Sequence, residues 1–113
     1  LGMSYAGITI TKKADGVYLS YSKCIDAEHG KAEVEQEIKK ISDGDFYFRV
    51  TVNKAAVCTF SYSSDGKIFT DVSEPFKAIP GKWIGATIGI FCTRIQKIND
   101  AGFADVDWFR VEK

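Results

Sequence analysis

The chain has 113 residues, 15 basic and 15 acidic side chains, no net charge, and apolar residues at 45% of positions. That balance lacks the electrostatic footprint of a nucleic-acid binder or of a protein held on an anionic membrane, and the reading excludes both partners. The length allows one domain with a modest core, and the most apolar run, residues 83–92, is about half of what a bilayer crossing needs.

Strand patterns dominate from the start. Ile8 and Ile10 alternate with threonines ahead of "KKADG", whose Asp15-Gly16 is a hairpin signal, and "VYLSYSKC" alternates again from Val17. Together they predict an antiparallel pair. "AEVEQEIKKI" fits a helix through Val34, Ile38 and Ile41 and a strand through Val34, Gln36 and Ile38 almost equally. Its residues are helix formers, yet its flanking strands favour a strand. "DFYFRVTV" places Phe46, Phe48, Val50 and Val52 on one face and Tyr47, Arg49 and Thr51 on the other. "AAVCTFSYS" follows Asn53-Lys54, and "SSDGK" turns it into "IFTDV", which predicts a three-strand meander over residues 45–72.

Pro75 and Pro80 then mark an irregular stretch. In "IGATIGIFCT", Ile84, Ala86, Ile88, Ile90 and Cys92 face inward, and Gly85 and Gly89 on the other face suggest close approach of another layer. The last run, "FADVDWFRV", puts Ala104, Val106 and Trp108 on one side and Phe103, Asp105, Asp107, Phe109 and Val111 on the other. Carboxylates that share a face with large apolar groups imply that something covers that face or binds to it. Eight strands separated by turn signals, spaced roughly 8 to 12 residues apart, describe an all-β antiparallel sandwich or jelly roll.

Cys24, Cys58 and Cys92 are odd in number and sit in strand-like runs, so they read as buried thiols. With no CxxC pair, no HExxH and a single histidine, His29, a zinc site has too few ligands at workable spacing.

The ordered set "KKADG", "SYSSDGK", "EPF", "GKWIGA", "IGIF" and "ADVDWF" resembles the C-terminal concanavalin-A-like β-sandwich of bacterial family 43 glycoside hydrolases, the β-xylosidase and α-L-arabinofuranosidase group. The likeness spans nearly the whole chain. It implies that residues 1–113 are one partial domain, about the second half of a lectin-like sandwich, with the opening strands and a catalytic propeller expected upstream. The catalytic carboxylates would lie on that propeller, so no residue here is assigned a catalytic role.

Within the resemblance, Trp83 is the functional candidate. It precedes "IGATIG" where relatives carry an aromatic that reaches the propeller mouth, and a tryptophan can stack on a pyranose while its N–H bonds a hydroxyl. The plainer alternative is a core or interdomain anchor. For Asp105 and Asp107 the plainer reading is pairing with turn backbone or with Arg110 or Arg49. The sharper one is a structural calcium held by Asp107 and nearby carbonyls. No other cofactor is read.

Tyr18, Tyr21, Tyr47 and Tyr62 fit strand packing better than a sugar platform. His29 reads as a solvated turn residue. Glu33, Glu35 and Glu37 point the same way from one strand, without the cleft that paired glycosidase carboxylates need. The function expected is a non-catalytic accessory domain that buttresses the propeller and shapes its pocket for plant hemicellulose. The alternatives are an independent module binding xylan-derived oligosaccharide, or a structural interaction domain without ligand.

Overall fold

The computed structural model describes residues 4–42, 44–72, 74–80, 85–93 and 104–113. Strands β1 (Tyr5–Lys13), β2 (Gly16–Cys24) and β3 (Val34–Ile41) form one antiparallel sheet in that order. Strands β4 (Tyr47–Val52), β5 (Val57–Ser63), β6 (Thr70–Asp71) and β7 (Phe76–Lys77) form a second, in which β5 pairs with β4 along one edge and with β6 and β7 along the other. The architecture is an all-β, two-sheet antiparallel sandwich, as the alternation implies. Among the described residues the one helical element is a 3-10 turn, Ala27–His29, and no helix is long and apolar enough to cross a membrane.

Local chemistry sets the turns. The first hairpin closes through Ala14 and Asp15, one residue earlier than the Asp15-Gly16 signal suggests, because Lys13 pairs with Gly16. Gly16 has φ of 149°, and a Cβ there would meet the Lys40 side chain at 2.5 Å. Between β4 and β5, Asn53 Oδ1 accepts the backbone N–H groups of Ala55 and Val57. After β5, Ser63 Oγ accepts the N–H groups of Asp65 and Gly66, while Asp65 Oδ1 accepts those of Lys67 and Ile68. These bonds satisfy turn backbone that would otherwise be orphaned.

Strand β3 resolves the helix-or-strand ambiguity. Leu19 stands opposite Lys39, but the next residue, Ser20, stands opposite Glu37, so Ile38 is an extra residue in the ladder. Such a bulge shifts the phase of side chains along the strand. Ile38 and Ile41 are therefore both half-buried despite their helix-like spacing.

The core lies where β2 crosses β5. Tyr21, Cys58, Phe60, Val72 and Phe76 form its centre, with Ala6, Ile8, Ile38, Val50, Tyr62 and Ala78 packed around it. The Tyr21 and Phe60 rings meet edge to face at 5.4 Å, a geometry favoured by their quadrupoles. Leu19 is fully buried.

Away from this crossing the inner faces are bare. Cross-strand register puts Ile10, Val34, Phe48 and Val52 on the same inner faces as Leu19, Tyr21, Phe60 and Cys58 respectively. Yet Ile10 is 48% exposed and Val34 60%. Phe48 and Val52 are also exposed, so the predicted inner face of β4 has the right parity but is only partly covered.

Several expectations are corrected here. Residues 85–93 and the described part of the final run, 104–113, carry no strand, because a strand needs a neighbour for its ladder and none is present among the described residues. Ile88 and Ile90, expected to face inward, and Phe109 and Val111, on the face expected to be covered, are exposed, as are Phe91 and Trp108. A Cβ at Gly85 or Gly89 would meet nothing within 4 Å, so no layer among the described residues approaches them closely. Cys24 and Cys58 are buried thiols, but Cys92 is exposed, since the strand that would carry it inward is not formed. Strand β7 lies in the stretch between the two prolines that the sequence marks as irregular.

Candidate functional site

The outer face of the second sheet carries a group of aromatic and guanidinium side chains. Tyr47 and Arg49 project from it beside Ser63 and Ser61, their partners on β5. The tight turn at Gly66, with φ of 75°, brings backbone under the Tyr47 ring, where a Cβ would lie 3.2 Å from the ring edge. The Tyr47 ring is 6.3 Å from that of Trp108, tilted by 45°. Arg110 sits 4.9 Å from the Trp108 ring centre, and its Nε donates to Glu112 at 2.9 Å. Nearby on the chain, the Arg49 guanidinium lies 3.6 Å over the Phe69 ring. Rings of this kind offer apolar faces with polar tips, suited to a sugar or to a protein partner.

Asp105 and Asp107 are exposed on the same terminal segment. Among the described residues the expected pairing with Arg110 or Arg49 is not formed, because Arg110 engages Glu112 and Trp108 while Arg49 covers Phe69. Among the described residues, no three acidic, histidine or cysteine side chains gather in a way that could hold a metal. Trp83 lies outside the described residues.

A cleft of about 430 Å³ opens between the sheets, lined by Tyr21, Lys23, Val34, Gln36 and Glu74. Lys23 Nζ and Glu74 Oε2 stand 4.0 Å apart across its mouth. The cleft follows from the bare inner face of β3.

The outer face of the first sheet is a charged lattice. Tyr5 donates to Glu33 at 2.8 Å, and that bond pushes its phenol up to about 12. Lys13 reaches across β2 to Glu37 and Glu35, which hold its ammonium above the usual lysine range. Tyr18 donates to Asp15 at 2.7 Å, raising the phenol and lowering the carboxyl. Lys13 and Lys40 lie 5.3 and 5.9 Å from the Tyr18 ring centre. Beneath this cover Ser20 is fully buried, and its hydroxyl has no hydrogen-bond partner among the described residues. Glu33, just before β3, and Glu35 and Glu37, on it, thus bond Tyr5 and Lys13.

The remaining candidates are dispersed. Tyr18 and Tyr47 lie on the outer faces of different sheets, whereas Tyr21 and Tyr62 pack at the core, so the tyrosines make no single platform. His29 Nδ1 contacts Asp26 Oδ1, a hydrogen bond that raises the imidazole pKa. Cys24 donates to the Lys31 carbonyl at 3.1 Å, and burial pushes the Cys58 thiol up. The Tyr47–Trp108–Arg110 grouping is not foreseen from sequence. "DWFR" places Trp108 and Arg110 two apart in an extended run, which makes their contact legible, but nothing local points to Tyr47.

A beta-xylosidase from Formosa agariphila is 36% identical over 90 residues, covering 73% of this chain and 15% of the relative. The chain therefore spans far less than two thirds of that relative's length. No solved structure matches it. The family model for the beta xylosidase C-terminal concanavalin A-like domain matches residues 2–112. Together with the two-sheet antiparallel architecture, the match shows that the chain belongs to the family of beta-xylosidase C-terminal concanavalin A-like domains.

Proposed function

We propose that this chain is a non-catalytic accessory sandwich of a glycoside hydrolase of the β-xylosidase and arabinofuranosidase type, acting on plant hemicellulose. It works there as part of a larger sandwich. The observation that carries the reading is the bare inner face: Ile10, Val34, Phe48 and Val52 point between the sheets and remain exposed. An apolar face of that kind needs further strands or a neighbouring domain to cover it. In this reading the cover comes from the remaining strands and the catalytic propeller of the parent protein, which family membership makes the natural partner.

In this reading the domain buttresses the propeller, and Trp83 helps to shape the sugar pocket. Trp83→Ala in the parent enzyme raises KM or lowers kcat for short xylosides; unchanged kinetics would assign the ring to packing. The chain alone releases no sugar from an aryl xyloside. Hydrolysis by these residues unaided would overturn the proposal.

A second reading, an independent carbohydrate-binding module, is favoured by the ring pair of half-buried Tyr47 and exposed Trp108. Isothermal titration of the chain with xylo-oligosaccharides separates the two. The accessory reading expects no heat of binding, and saturable binding abolished by Trp108→Ala would replace it with the module.

A further inference from the structure

The two edges of the first sheet are built differently. Strand β3 is guarded, since it carries a bulge at Ile38 and alternates Glu35 and Glu37 with Lys39 and Lys40. Bulges and charges of this sort discourage another strand from pairing. Strand β1 has neither: its ladder with β2 runs without a break from Tyr5 to Lys13, and no charged side chain occurs before Lys12. Its outer edge has no strand beside it among the described residues.

One contact points to the occupant. Phe91 lays its ring over Gly7, 3.5 Å from where a Cβ would be. An aromatic that covers a glycine on the adjoining strand is a recurrent device of paired strands. Taking Gly7 and Phe91 as an antiparallel pair fixes every other pair. Ala6 then faces Cys92, Ile8 faces Ile90, and Ile10 faces Ile88, all on the inner side, while Thr9 faces Gly89 and Thr11 faces Thr87 on the outer side. Tyr5 falls opposite Thr93 and Lys13 opposite Gly85, so the described segment matches β1 from end to end. A parallel arrangement through the same contact would leave Ile10 to Lys13 without a partner in the described segment and set residues 85–88 beyond the start of β1.

We infer that residues 85–93 form a fourth strand of the first sheet in the parent protein, added antiparallel to the open edge of β1 with Gly7 opposite Phe91. The inference rests on the reading that the parent covers the inner face. In the chain alone, pairing would set Ile88 beside Ile10, which is already 48% exposed, so that end of the inner side offers little burial. Covering that side makes the pairing favourable.

The test traps the register with the native thiol of Cys92. Directly opposed residues of antiparallel strands have Cα separations within disulfide reach. In the parent protein, Ala6→Cys is expected to form a disulfide with Cys92 under mild oxidation, mapped by non-reducing peptide analysis. Gly7→Cys and Thr9→Cys are expected to leave Cys92 free. Equal trapping at all three positions, linkage between two copies, or no linkage from Ala6→Cys would overturn the register. Amide exchange in the unmodified parent gives a second readout: the β1 N–H groups that point away from β2 become protected along with residues 85–93. Protection of the Val34 and Val52 regions in the parent without protection of that β1 edge would refute the strand while leaving the accessory reading intact. Exchange at Val34 and Val52 that is the same in chain and parent would refute the accessory reading.

Discussion

The crossing of β2 and β5 and the segments 85–93 and 104–113 are written in the same alphabet, alternating apolar and small or polar residues, yet they end differently. At the crossing, Tyr21, Cys58 and Phe60 are buried. In the two segments Ile88, Ile90, Phe91, Trp108 and Phe109 stand in water. Alternation gives a strand two distinct faces, but it does not supply the neighbour that completes the ladder or the layer that covers the apolar side. Turns joined the first strands to their neighbours locally, so they formed. The later segments need partners far away in sequence or on another part of the parent protein.

The sharpest way to break this contrast is to truncate a side chain in each region. Phe60→Ala, at the core, is expected to destabilise the chain by about 3–5 kcal/mol in urea unfolding, since it removes a buried ring and leaves a cavity. A loss under about 1 kcal/mol would mean that the crossing is not the core. Ser63→Ala comes next. Its buried hydroxyl accepts two turn N–H groups, and its loss should cost about 1–2 kcal/mol, checked by the same unfolding curves.

Phe109→Ala is expected to change the stability of the chain alone by no more than about 0.5 kcal/mol, as befits an exposed side chain. In the parent protein the same change should lower the melting temperature clearly. The smallest effect belongs to His29. Its pairing with Asp26 raises the folded-state pKa above the ordinary 6.5, so the stability it adds is present below that value and is lost as pH rises through the raised pKa. His29→Gln should flatten a slight downward slope of stability in that window, read by denaturation across pH 5 to 8.

Much of the first two thirds was legible because its signals are local. The Asn53 turn and the Ser63–Asp65 turn carry side chains that bond their own backbone, the Lys13 to Gly16 turn carries a bond between the Tyr18 and Asp15 side chains, and each joins neighbours in one sheet. The 34–41 segment was ambiguous for a physical reason: the bulge at Ile38 gives a strand a helix-like spacing of apolar residues. Strand β7 was missed because a two-residue pairing between prolines leaves no periodicity to read. The surface around Trp108 was only half legible, since its contact with Tyr47 depends on tertiary placement. Strand patterns at 85–93 and 104–113 were read from the alternation, but alternation says nothing about whether a partner is at hand.

Hydrogen exchange at residues 85–93 and 104–113, compared between the chain alone and the whole parent protein, tests the central claim most directly. If the chain is part of a larger sandwich, these amides exchange freely in the chain and slow by on the order of a hundredfold or more in the parent. The same fast exchange in both would contradict it, since nothing would then cover the apolar groups these segments present.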